Sequence, residues 1–129
     1  MTRYTAFFVA LATVLSVATA SPVVDQSGSL AKRESHTGKA TWFNVGLGAC
    51  EETDVDSSPV IALSTAIFDK ATHCNKEVTI TNPETGKTAT GQVRDACPGC
   101  GADDLDLSPS LFESLGSLDA GVLQIEWDL

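Results

Sequence analysis

The segment Val93–Phe112 constrains the fold of this chain more than any other stretch. It holds Cys97 and Cys100, two of the four cysteines, together with four aspartates. Asp95 closes a predicted strand, and Asp106 stands between two leucines in the alternation of a short strand. In such an alternation the leucines face one way and the carboxylate faces the other. The segment would therefore bring Asp95 and Asp106 to one surface.

The rest of the chain is rich in short strand patterns. Ser108-Pro109 is typical of an N-cap followed by proline at the first helical position, which predicts a short helix, Pro109–Leu115. Thr65–Ala71 is interpreted as a turn or a second short helical segment. Further strands are predicted at Gly38–Asn44, Val60–Ser64, Glu77–Asn82, Lys87–Asp95 and Gly121–Leu129. This spacing predicts a mainly β fold, a compact barrel rather than a sandwich.

The first 33 residues are expected to lie outside the folded domain. Residues 1–20 combine a positive start, an apolar run and the small-residue motif Ala18-Thr19-Ala20, which is typical of a secretory signal peptide. The apolar run is shorter than the roughly 20 residues that a membrane-spanning helix needs. Residues 21–33 are polar and end in Lys32-Arg33, which predicts a propeptide removed at a dibasic site. The mature domain would then cover residues 34–129 of a secreted, extracellular protein without a membrane anchor.

The acidic balance of the chain restricts its partners. The sequence carries 17 acidic and 8 basic residues, a formal net charge of −9. Loss of residues 1–33 would remove three basic residues and one acidic residue, which leaves a formal charge of −11. A surface of this charge repels nucleic acid and anionic lipid. It suits a neutral polysaccharide, a cationic polymer or a protein partner.

All four cysteines, Cys50, Cys74, Cys97 and Cys100, fall within residues 34–129. An even number in a secreted chain predicts two disulfides with three possible connectivities. Zinc is disfavoured because only Cys97 and Cys100 are close in sequence and no histidine pattern accompanies them. The Pro-Gly inside this pair, without a surrounding βαβ pattern, favours a structural bridge over a redox site.

The remaining polar clusters carry no metal or cofactor signature. Glu51–Pro59 contains four carboxylates but lacks the spaced ligands, turn glycine and closing glutamate of a calcium loop, so it is interpreted as solvated. The glycines in Gly46–Cys50 precede neither a helix nor a phosphate-binding lysine, which disfavours a nucleotide site. His36 and His73 are expected at the surface rather than as catalytic bases. We expect no metal and no cofactor.

Six motifs follow one another along residues 38–129 in a specific order. They are Gly38-Lys-Ala-Thr-Trp-Phe, Gly48-Ala-Cys, Cys74-Asn-Lys-x-Val-Thr-Ile-Thr-Asn, Val93-Arg-Asp-x-Cys, Leu105-Asp-Leu-Ser-Pro-x-Leu-Phe and Val122-Leu-Gln-Ile-Glu-Trp. Together they resemble the double-psi β-barrel of the rare lipoprotein A, expansin and barwin group, and most closely the small single-domain fungal expansin-like proteins of the loosenin type. The resemblance implies a six-stranded barrel with one or two short helices and a groove across one face.

The resemblance also implies a set of binding residues. In expansins a threonine of the first strand and two aspartates line the polysaccharide groove, and by motif they match Thr41, Asp95 and Asp106. Asp106 further matches the general acid of related endoglucanases and is the one catalytic candidate. Trp42, beside Thr41, is a candidate for stacking on a sugar ring.

Departures from the family pattern disfavour hydrolysis and tight cellulose binding. An inverting hydrolase needs a second carboxylate that activates water. In the endoglucanases it comes from the first strand, where this chain has Asn44. The aromatic residue that follows the first groove aspartate in many expansins is replaced here by Ala96-Cys97. The second, carbohydrate-binding domain of full expansins is not expected either.

The disulfide connectivity is likewise implied by the resemblance. Barwin-type domains join the cysteine of the Gly-Ala-Cys motif to the cysteine before the Lys-x-Val-Thr strand. That pattern pairs Cys50 with Cys74 and leaves Cys97 with Cys100. A Cys50–Cys97 bridge is the alternative.

Three functions are compatible with these features. The first is a secreted, monomeric, expansin-like protein that binds and loosens glucan or chitin without hydrolysis. The second is a module that binds an extracellular protein, such as a cysteine-protease inhibitor or an effector, with the loop Glu51–Asp56 as its contact surface. The third, ranked last because a catalytic base is missing, is a glycoside hydrolase or lytic transglycosylase with Asp106 as the acid.

Overall fold

Short alternating strands close into a six-stranded β-barrel in residues 33–129, the part of the chain that this computed structural model describes. The strands are β1 (Ser35–Trp42), β2 (Val60–Ser64), β3 (Glu77–Thr81), β4 (Thr88–Cys97), β5 (Leu105–Leu107) and β6 (Leu123–Asp128). The short helices are α1 (Lys70–His73), α2 (Pro109–Glu113) and a 3-10 helix, Leu118–Ala120. The predicted mainly β, six-stranded barrel with short helices is confirmed.

Strand order around the barrel is β1-β5-β2-β4-β3-β6, and β6 returns to β1. Two neighbouring pairs, β1 with β5 and β2 with β4, run parallel, while the other four pairs run antiparallel. The predicted signal peptide, and the predicted propeptide as far as residue 32, lie outside the described residues. No helix of residues 33–129 is long and apolar enough to cross a membrane.

The barrel interior is filled by one face of each strand and by helix α2. Leu111 and Phe112 of α2 enter this core, and Leu111 lies so close to Gly91 of β4 that a Cβ there would stand 2.5 Å from its Cδ2. Burial of these apolar side chains is the main stabilising contribution to the fold. The core residues are Ala40, Ile61, Leu63, Val78, Ile80, Val93, Leu105, Leu107, Leu111, Phe112, Leu115, Ile125 and Trp127.

Hydrogen bonds to distant parts of the chain change one predicted strand boundary and one predicted capping bond. Strand β1 begins at Ser35, earlier than the predicted Gly38, because residues 35–40 pair with β6. Ser108 stands at the N-cap position of α2, yet its hydroxyl makes no capping bond and accepts the Val60 N–H at 3.1 Å instead. The helix therefore starts where Ser108-Pro109 predicts, while the serine side chain ties it to β2.

The expectation that His36 is a surface residue is wrong. Its side chain is only 13% exposed, and its ring stacks on Trp127 with a centroid distance of 4.0 Å. His36 Nδ1 lies 2.8 Å from Asp103 Oδ1, and Trp127 Nε1 donates to the Asp103 carbonyl at 2.8 Å. Because β1 extends to Ser35, His36 lies on the inward side of the strand. There it contacts Asp103, in the loop that precedes β5.

One disulfide joins two loops, and the other joins the end of β4 to the loop that follows it. Cys50 is bonded to Cys74, 24 residues away, and Cys97 is bonded to Cys100. This is the connectivity that the resemblance implies. A cross-link that closes the longer loop contributes about 3 kcal/mol in the chain-entropy model.

Candidate functional site

Four side chains form a row around the outside of the barrel, which we call the carboxylate row: Thr41, Asp106, Ala62 and Asp95. Thr41 of β1 is opposite Asp106 of β5, Asp106 is opposite Ala62 of β2, and Ala62 is opposite Asp95 of β4. Residues opposite each other in a sheet share a face. Neighbouring strands lie about 4.8 Å apart, so the Cα atoms of Asp95 and Asp106 are separated by roughly 10 Å.

The direction of Asp106 follows from the alternation of β5. Leu105 and Leu107 are fully buried in the core, so Asp106 between them projects from the outer face. Its Oδ1 accepts a hydrogen bond of 2.9 Å from Thr41 Oγ1. The predicted Leu-Asp-Leu alternation is thus observed, and it carries a half-buried carboxylate.

Partial burial raises the pKa of Asp106 above its ordinary value because desolvation disfavours the charged form. The nearby charge of Asp95 raises this pKa further. Hydrogen bonds from Thr41 and from the Leu107 backbone act in the opposite direction but do not outweigh the burial. The two carboxylates of the row are therefore close enough to influence each other electrostatically.

Asp95 reaches the outer face through an irregularity in β4. Ile61 pairs with Val93, but the next residue of β2, Ala62, pairs with Asp95, so Arg94 is the extra residue of a β-bulge. Without the bulge Asp95 would share the inward face of Val93, since residues two apart face the same way. Its Oδ1 accepts the backbone N–H groups of Ala49 at 2.9 Å and of Ala96 at 2.8 Å.

The structure does not bring Trp42 into the carboxylate row. Trp42 is opposite Leu107, a core residue, and so lies on the other face of β1 from Thr41. Its indole Nε1 donates to the Leu118 carbonyl at 3.1 Å, and the side chain stays 36% exposed at the end of the barrel. Phe43, partly exposed and two residues beyond Thr41, continues the strand by donating its N–H to the Leu107 carbonyl at 3.0 Å.

Asn44 takes part in loop anchoring rather than in the row. Its Nδ2 donates to Asp56 Oδ2 at 2.8 Å, and the Val45 N–H donates to the other oxygen of that carboxylate at 2.9 Å. No group of three or more metal-ligating side chains occurs within residues 33–129. A concavity of about 510 Å³ lies near Glu77 and Asp128, and no residue of the carboxylate row lines it.

Sequence reasoning missed two residues on which the row depends, Ala62 and Arg94. Ala62 was predicted only as part of a buried strand, and nothing in its sequence neighbours marks it as the small residue between two carboxylates. The bulge at Arg94 has no turn or glycine signal either. Only the register between β2 and β4 reveals both roles.

A closed barrel with two parallel strand pairs and an outward threonine–aspartate row is the architecture of the double-psi β-barrel class. No family model matches the chain. A papain inhibitor of Streptomyces mobaraensis is 34% identical over 98 residues, which cover 70% of this chain and 68% of that protein. The chain thus belongs to the double-psi β-barrel family of rare lipoprotein A, expansin and barwin-like proteins.

Solved structures extend this likeness to the whole barrel. The Streptomyces papain inhibitor has a TM-score of 0.66 at 32% identity, over 74% of this chain and 93% of that chain. A mutant expansin of Clavibacter michiganensis, in complex with cellohexaose, has a TM-score of 0.65 at 28% identity, over 74% of this chain and 50% of that chain.

A fungal relative shares one region with this chain. The allergen Asp f 7 homolog of Arthroderma benhamiae is 34% identical over 94 residues, or 69% of this chain and 32% of that protein. The chain thus spans about a third of the length of this relative and half of the expansin.

Proposed function

We propose that the protein is an expansin-like protein that holds a neutral wall polysaccharide along the carboxylate row without cleaving it. The observation that carries the proposal is the register of the row, which sets the partly exposed Asp95 and Asp106 on the same side of the barrel, with the buried Ala62 between them. Carboxylates are strong acceptors for hydroxyl donors such as those of a sugar chain. A polymer that runs across these strands can donate to both carboxylates.

Two further observations support a sugar ligand at this face. The expansin that resembles this chain was solved with cellohexaose, a glucose oligomer. Phe43 is partly exposed beyond the Thr41 end of the row and offers an aromatic surface for a sugar ring. The two disulfides suit an oxidising, extracellular compartment, where such a polymer would be met.

Binding without hydrolysis is proposed because the row lacks a free second carboxylate at the β1 end. Inversion needs a base that takes a proton from water. Asn44, two residues beyond β1, cannot accept that proton, and its amide donates a hydrogen bond to Asp56. Asp95 is the remaining acid of the row, and its Oδ1 already accepts two backbone donors.

Retention on insoluble cellulose and chitin tests this proposal. Loss of a hydrogen bond to a charged group costs about 1.4 kcal/mol or more, so Asp106→Asn should raise the apparent Kd roughly tenfold. Glu84→Gln, the same charge change at an exposed residue of the β3–β4 turn, is the matched control and should bind like the parent protein. No reducing sugar should be released.

Two results would overturn the proposal. One is binding to neither polymer, and the other is equal retention of the parent protein and Asp106→Asn. Release of reducing sugar that Asp106→Asn abolishes would favour the glycoside hydrolase or lytic transglycosylase in its place.

Secretion and removal of residues 1–33 belong to the same proposal. Arg33 and Glu34 are exposed, and β1 begins at Ser35. A cut after Arg33 would therefore leave every strand of the barrel intact. Mass spectrometry of the protein recovered from culture medium should find a chain that begins at Glu34.

A second candidate function is inhibition of a papain-type cysteine protease. One observation favours it: the relative of which this chain covers two thirds is named as a papain inhibitor, and its solved structure has the same barrel. The partner in that case would be an extracellular protein. Inhibition of papain by micromolar protein would support this candidate, and its absence would remove it.

A further inference from the structure

Residues 46–54 form a small hairpin, which we call the tethered hairpin, outside the six barrel strands. Leu47 and Thr53 pair as an antiparallel bridge, and backbone hydrogen bonds of 3.0–3.1 Å close the pairs on either side of it. Antiparallel pairing gives this segment the two faces of a sheet, with alternate residues on each.

The tip of the tethered hairpin is fixed to the barrel. Cys50 is bonded to Cys74, and its backbone N–H donates to the Arg94 carbonyl at 3.1 Å. Gly48 passes so close to β4 that a Cβ at this position would lie 2.3 Å from the Arg94 carbonyl oxygen. The hairpin is thus held in one conformation by covalent, polar and steric constraints together.

Side chains on one face of the tethered hairpin form ion pairs with the barrel. Glu52 contacts the Arg94 guanidinium, and Asp54 Oδ2 lies 3.6 Å from Arg94 Nε. At the tip, Glu51 pairs with Lys70 at 2.9 Å. Three carboxylates of the acidic loop thus form ion pairs within the protein, while Glu51 and Glu52 remain exposed to solvent and Asp54 is mostly buried.

The opposite face carries an apolar stripe, formed by Leu47, Thr53 and Val55. Leu47 is 74% exposed and Val55 is 61% exposed, and Thr53 between them is also exposed. Leu47 and Thr53 are cross-strand partners and Val55 lies two residues further, so all three share one side. Exposed apolar side chains held on a rigid loop lose little entropy on binding.

We propose that the apolar stripe of the tethered hairpin docks into an apolar cleft of a positively charged extracellular protein. This inference rests on the second candidate function and names its contact surface. Residues 34–129 carry a formal charge of −11, so a positively charged surface on the partner complements this protein and speeds their encounter. The apolar side chains supply the buried centre of the contact.

Inhibition of papain by the full chain, produced in a secreting host, tests the proposal. The double variant Leu47→Ser, Val55→Thr should weaken the inhibition constant by roughly tenfold or more, since exposed apolar anchors dominate such contacts. Val122→Thr removes another exposed apolar side chain, 49% exposed and outside the hairpin, and should leave inhibition unchanged. Thermal unfolding of all three proteins should agree within error, because the replaced side chains are exposed.

Each outcome separates the docking surface from the function it serves. If the parent protein inhibits papain and the double variant inhibits it equally well, the docking proposal is wrong but the inhibitor function is supported. If the parent protein does not inhibit papain, both fall. If the double variant instead loses retention on cellulose or chitin, the stripe contacts the polymer and the protein-docking proposal is overturned.

Discussion

At the scale of single residues, the position of Asp106 sets the acidity of the row. The carboxylate is flanked by the buried leucines of β5, so water reaches it from one side only. Desolvation raises its pKa, and the charge of Asp95 adds to the effect. In the folded protein Asp106 thus holds its proton more tightly than in the unfolded chain.

This raised pKa predicts how Asp106→Asn changes stability with pH. Tighter proton binding stabilises the fold fully below the ordinary carboxyl pKa of about 3.9, and this stabilisation is lost as pH rises through the raised pKa. Asparagine cannot ionise, and its Oδ1 can still accept from Thr41. Asp106→Asn should therefore raise Tm at pH 7, and the gain should vanish near pH 3 in unfolding scans. Glu84→Gln should show no such trend, and a gain that is largest at pH 3 would contradict the pKa argument.

His36 illustrates where residue patterns mislead. It was expected at the surface because it does not lie near a nucleophile motif. Pairing with β6 extends β1 to Ser35, and the alternation of the longer strand turns His36 inward onto Trp127. The cause is a tertiary pairing between the chain ends, 91 residues apart, which no local pattern contains.

At the scale of elements, the strands were predictable and their irregularities were not. Each of the six strands overlaps a predicted segment, because period-two alternation is strong in β3 and β6 and because β2 is a short apolar run that is buried throughout. The bulge at Arg94 is invisible in the Val-Arg-Asp sequence, yet it decides that Asp95 faces outward. Asp95 and Asp106 were expected on one surface, but the reason emerges only from the ladder between β2 and β4.

The tethered hairpin provides a matched pair of glycine substitutions. In Gly48→Ala the new Cβ would meet the Arg94 carbonyl at 2.3 Å, so the hairpin must shift, and we expect a loss of about 1–3 kcal/mol in unfolding free energy. In Gly46→Ala the Cβ meets nothing within 4 Å, and the change should be within about 1 kcal/mol and stabilising. Denaturant unfolding of the two variants measures both values. Equal stability would show that the hairpin is not clamped at Gly48.

At the scale of the whole molecule, the ordered motifs predicted the fold, but they did not identify the binding partner. A similar barrel occurs in an expansin solved with cellohexaose and in a papain inhibitor. Such a scaffold leaves function to its surface residues. The carboxylate row has a motif signal in Thr41, Asp95 and Asp106. No motif marks the apolar stripe, because Leu47 belongs to a segment that was interpreted from its glycines and Val55 to one that was interpreted from its carboxylates.

The two surfaces lie on different parts of one scaffold, and this arrangement permits a test of both functions together. The row lies on strands β1, β5, β2 and β4, while the stripe projects from the tethered hairpin. The link between them lies at Asp95, which accepts the Ala49 N–H and lies beside Gly48. Substitutions at sites that share no contact usually act independently. Asp106 does not take part in that link, so its loss should leave the hairpin in place.

We therefore expect each variant to lose one of the two activities and to keep the other. Asp106→Asn should lose retention on cellulose or chitin and inhibit papain like the parent protein. Leu47→Ser with Val55→Thr should do the reverse, because the exposed stripe contributes nothing to the row. Each protein is measured in both assays, with Glu84→Gln and Val122→Thr as controls. If either variant remains folded and weakens both activities, one continuous surface serves both ligands.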